Sequence, residues 1–117
     1  MTRGLKYSPY FERSIMKIIE KLSKMIEDEL SDAERYAKCA LKEKEERPAL
    51  AQTFYTLSID EMKHATMLHD EVTRVINEYR SAGNEPPADM TAVYNYLHDQ
   101  QIERATNIKI IQESYRG

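Results

Sequence analysis

Three residues of this 117-residue chain have the types and spacing to hold a metal ion: Glu29, Glu61 and His64. Each interrupts an apolar stripe that repeats at helical spacing. Leu22, Ile26, Glu29, Ala33 and Tyr36 advance by steps of four and three, which keeps one face of a helix. Leu50, Phe54, Leu57, Glu61, His64 and Leu68 do the same further along. The periodicity therefore predicts that all three polar side chains point inward. An unpaired carboxylate is costly to bury, and two on facing helices repel each other. A bound cation removes both penalties. Two carboxylates and one imidazole converging in a dry bundle suit iron, with manganese and zinc accepting the same ligand set.

The elements that must position these residues are three helices, expected over about 9–45, 48–80 and 90–115 of a single all-α domain spanning 1–117. Ser8-Pro9 reads as a cap followed by proline at the first helical position. The polar stretch from Lys42 to Arg47 ends the first stripe, and Pro48 forces a boundary. The only clear loop lies between Ser81 and Pro87, with Gly83 suited to a helix C-terminus and Asp89 to capping the third helix. The first connection is so short that helices 1 and 2 must form an antiparallel hairpin. Measured from a turn near residue 46, Glu29 lies roughly 26 Å back along one helix at 1.5 Å per residue. On the same rule Glu61 and His64 lie roughly 21 and 26 Å along the other. All three thus arrive at one level. Helix 3, on its longer loop, folds back or reaches a neighbouring subunit.

Composition removes other classes of function. The 17 basic and 20 acidic side chains leave a net charge of −3, which gives no electrostatic case for nucleic-acid binding. No run of apolar residues is long enough for a membrane span. Met1 to Tyr10 lacks the apolar core of a signal peptide, so a cytoplasmic location is expected. The single cysteine, Cys39, excludes an internal disulfide and a four-thiolate site. With no visible partner for nucleophilic chemistry, it reads as a small buried residue.

A Glu on one helix and Glu-x-x-His on its neighbour make half of a carboxylate-bridged di-metal bundle site, whose full form needs two of each. The chain carries one such half, at Glu29 and at Glu61-Met62-Lys63-His64. Two copies related by a two-fold axis would supply all six ligands, so a homo-oligomer, at least a dimer, is the economical expectation. Glu29 followed seven residues later by Tyr36, and Glu61-Met62-Lys63-His64-Ala65 after a gap of 32, resemble the two helix motifs of the ferritin-like family, particularly its rubrerythrin branch. The resemblance covers roughly residues 15–80. It implies a ferritin-like hairpin plus a third helix, the four-helix bundle being completed by dimerisation, as in encapsulated ferritins. It implies Glu29 as a terminal ligand, Glu61 as the bridging carboxylate, His64 as the nitrogen ligand and Tyr36 as a hydrogen-bond partner or redox-active ring. It further implies two irons per dimer that react with oxygen or peroxide. The chain departs from the family in having no second Glu-x-x-His and no rubredoxin module, which needs four cysteines.

Other candidates carry blander readings. Glu27, Asp28 and Glu34 belong to the wet face of helix 1, and Glu71 reads as a solvated glutamate near the bundle end. His69 and His98 read as interfacial histidines, and Glu103 has no fixed direction. Two alternatives to the di-iron reading remain at this level: a metal-free helical oligomer acting as scaffold or partner-binding module, and a structural zinc tying two hairpins together.

Overall fold

The computed structural model describes residues 9–83, 85 and 88–117. Among them are three helices and no strand: α1 (Pro9–Glu43), α2 (Pro48–Ser81) and α3 (Ala88–Arg116). Pro9 and Pro48 each open a helix, where the missing N–H costs nothing. The Ser8 cap lies outside the described residues. α2 ends as Gly83 turns to φ 88°, a conformation open to glycine, with its N–H bonded to Arg80 O at 2.9 Å. α3 begins one residue before Asp89, so Asp89 sits in the first turn instead of capping it. Its Oδ1 accepts the Met90 N–H at 3.0 Å.

α1 and α2 form the antiparallel hairpin, and α3 folds back along it, mainly against α1. The bundle measures 67 × 19 × 17 Å. Its core is Ile19, Ile26, Leu30 and Ala33 from α1, Ala65 and Val72 from α2, and Ile108 from α3. The seam of α2 is a strict heptad of Ala51, Ser58, Ala65, Val72 and Tyr79, all buried. The large apolar residues read from the sequence as that stripe stand beside it: Leu50 and Leu57 are exposed. The reason is steric. Small side chains at the contact let the two backbones approach closely, and Ala33, Ala37 and Ala40 of α1 are fully buried at the same seam.

A buried polar chain ties the three helices. Ser58 Oγ donates to the Ala33 carbonyl at 2.7 Å, and Gln112 Nε2 donates to Ser58 Oγ at 2.8 Å. The buried Ser58 hydroxyl and Gln112 amide thereby find partners. Arg104 adds an outer tie, donating to Ser31 Oγ at 2.9 Å and to the Glu27 carbonyl at 3.4 Å. No helix among the described residues is long and apolar enough to cross a membrane.

Candidate metal centre

Glu29 comes from the middle of α1; Glu61 and His64, one turn apart, come from the middle of α2. The antiparallel hairpin brings them to one level, as the rise-per-residue count predicts. One ligand atom from each lies within 4.8 Å of the others, the only such group of three or more His, Cys, Asp or Glu residues among the described residues. His64 Nδ1 is 3.5 Å from Glu29 Oε2 and 3.6 Å from Glu61 Oε1.

Electrostatics explains why this arrangement asks for a cation. Glu29 Oε2 is buried and accepts no hydrogen bond among the described residues. The adjacent Glu29 carboxyl, to which a protonated Glu61 hydrogen-bonds, pushes the Glu61 pKa up to about 7, and burial and like-charge repulsion add to the effect. Without metal, then, a proton does part of the work that a divalent ion would do better. The chemistry of the donor set, two carboxylates and an imidazole, fits iron, manganese or zinc.

The centre is not dry within one chain. Its residues lie on the flank of the hairpin away from α3, and the His64 side chain is 53% exposed. Inward direction, read from the stripe containing Leu57, becomes lateral direction once the seam is seen to run through Ala51, Ser58 and Ala65. Ile18, Met25, Leu50 and Leu57, all exposed, lie on the heptad rows around the triad.

Tyr36 stays outside the group. Seven residues along α1 from Glu29, it is about 10 Å away along the axis. Its ring stacks on Phe54 at 6.3 Å between centroids and carries the Arg35 guanidinium at 5.2 Å. The other candidates also have other occupations. Glu34 is paired with Lys38 at 2.7 Å, and that hydrogen bond holds its pKa below the usual value. Glu71 is paired with Arg74 at 3.1 Å, and Glu103 is exposed. Cys39 is half-buried, less enclosed than its type suggests.

His69 and His98 pair with each other, Nε2 to Nδ1 at 2.9 Å, across the α2–α3 contact. Sequence reasoning treats them separately, because only the fold-back of α3 brings residues 29 positions apart together. Gln101, Arg104 and Gln112 are likewise missed, since each is a polar residue of a helix whose apolar pattern is weak. No family model, curated protein or solved structure matches this chain, so its functional reading rests on its own residues and geometry.

Proposed function

We propose that the chain is a di-iron carboxylate protein whose centre forms between two copies, and that it oxidises iron(II) with oxygen or peroxide. One observation carries the reading: Glu29, Glu61 and His64 converge around a buried carboxylate oxygen that accepts no hydrogen bond among the described residues. Half of a di-metal ligand set lies on an open flank bordered by exposed Ile18, Met25, Leu50 and Leu57. A second copy on that flank would bury the apolar rows, exclude water from His64 and supply the other three ligands.

In this reading Glu29 and Glu61 would hold the iron through their carboxylates, and His64 would supply a nitrogen ligand. Iron is the substrate, releasing one electron per ion to the oxidant. Carboxylates favour the higher oxidation state because they remain anionic, and Glu61 becomes available as its proton leaves. Tyr36, two turns from Glu29 and outside the triad, would act only as a redox-active ring at a distance. A second reading keeps the polar network without turnover, metal-free or closed by structural zinc; the position of His64 between both carboxylates favours it.

The test is the loss of iron(II), followed with an iron(II)-specific chelator after mixing with oxygen or peroxide. Oxidation well above the buffer rate, lost in Glu61→Gln, is the expected result. Tight binding without turnover would establish the structural-metal reading instead.

A further inference from the structure

Directly behind the metal triad, on the α3 flank, lies a cavity of about 190 Å³. Three of its lining residues, Leu30, Met62 and Ala65, each follow a triad residue in sequence, so the two sites occupy opposite faces of the same hairpin segment. Ile26, Ile102 and Ala105 complete apolar walls. An apolar cavity of about 150 Å³ is large enough to admit benzene. Ile102, at its rim, is 51% exposed and leaves a way in.

Three polar features break the apolar lining, one of them the Thr66 hydroxyl, which donates to the Met62 carbonyl at 3.1 Å. Gln101 is 92% buried, and its side-chain Nε2 has no hydrogen-bond partner among the described residues. A buried amide N–H in this condition needs an acceptor. Next to it is the ring array of His69, His98 and Tyr94. The two imidazoles are inclined by 28°, and Tyr94 stacks on His98 at 5.7 Å and 14°. Burial, and then the neighbouring His98, hold the His69 pKa below its usual value.

The geometry points to a second binding site here, for a neutral ring of phenol size whose one oxygen accepts the Gln101 amide hydrogen. The apolar walls take the ring, and the unpaired donor takes the oxygen. This site does not depend on the metal reading, because none of its lining residues is a triad member.

The test is a titration of the isotope-labelled full chain with phenol, and with benzene as comparator, followed by amide NMR. Phenol is expected to move the Gln101 side-chain NH2 signals and the backbone amides of Ala65, Ile102 and Ala105 saturably. Benzene should bind the same place about tenfold more weakly, the difference that one satisfied hydrogen bond makes. Gln101→Leu should reduce phenol to the benzene level, and Ala105→Phe should abolish both by filling the space. Absence of a saturable shift, a response mapped elsewhere, equal affinity for the two rings, or phenol affinity unchanged in Gln101→Leu would each overturn the assignment. The wild-type comparison alone decides the matter should a variant fail to fold.

Discussion

The two flanks of the α1–α2 hairpin are built from the same helices and differ in what covers them. On one flank α3 supplies Ile108 to the core, Gln112 to the buried Ser58 hydroxyl and Arg104 to α1. That flank is covered by α3, and Ser58, Gln112 and Arg104 are hydrogen-bonded across it. The other carries Glu29, Glu61 and His64 among exposed Ile18, Met25, Leu50 and Leu57. Apolar rows, a half-exposed histidine and a buried carboxylate oxygen that accepts no hydrogen bond among the described residues lie together on that flank. The α3 flank ties the three helices together, and the open flank presents the convergent Glu29, Glu61 and His64.

Breaking each flank separately sharpens that contrast. The largest effect is expected from Glu61→Ala, which should weaken iron(II) binding by more than about a hundredfold, since loss even of a supporting residue costs 10- to 100-fold. Calorimetric titration measures it. The metal-free variant should be no less stable than the parent, because the substitution removes a carboxylate that repels Glu29. On the closed flank Ile108→Ala should cost about 3 kcal/mol in chemical denaturation, with no direct effect on the ligands. On the open flank Leu57→Ala should cost about 1 kcal/mol or less within the chain. Leu57→Asp should instead lower the dimer affinity about tenfold or more, read by sedimentation.

The smallest effect is a pH dependence. The folded-state pKa of Glu61 is raised, so the folded chain binds this proton more tightly than the unfolded chain does. Its contribution to stability is complete below about 4.5 and is lost as pH rises toward about 7. Metal binding needs the carboxylate free and must strengthen over the same range. Thermal melts from pH 4.5 to 7 should therefore fall for the metal-free protein and rise when iron(II) or zinc is present.

Much of this was legible in the residues. The proline and glycine punctuation gives the helix limits to within two residues for most ends, and the rise per residue brings Glu29, Glu61 and His64 to one level. What the apolar stripe misplaced was rotation. Leu50, Phe54 and Leu57 look like the buried row because they are large. The contact instead runs through Ala51, Ser58 and Ala65, because close-packed helices need small residues where they touch. A shift of one position turns an inward triad into a lateral one. The course of α3 was equally hidden: its buried Gln101 and Gln112 carry no apolar signal, and the His69–His98 pair exists only once the helix has folded back.

The most direct test of the central claim is an anaerobic iron(II) titration of the metal-free protein, read by native mass spectrometry. Two irons on a dimer and none on the monomer are expected, with both irons lost in Glu61→Ala. One iron held by an isolated monomer, or a dimer that takes up none, would contradict it.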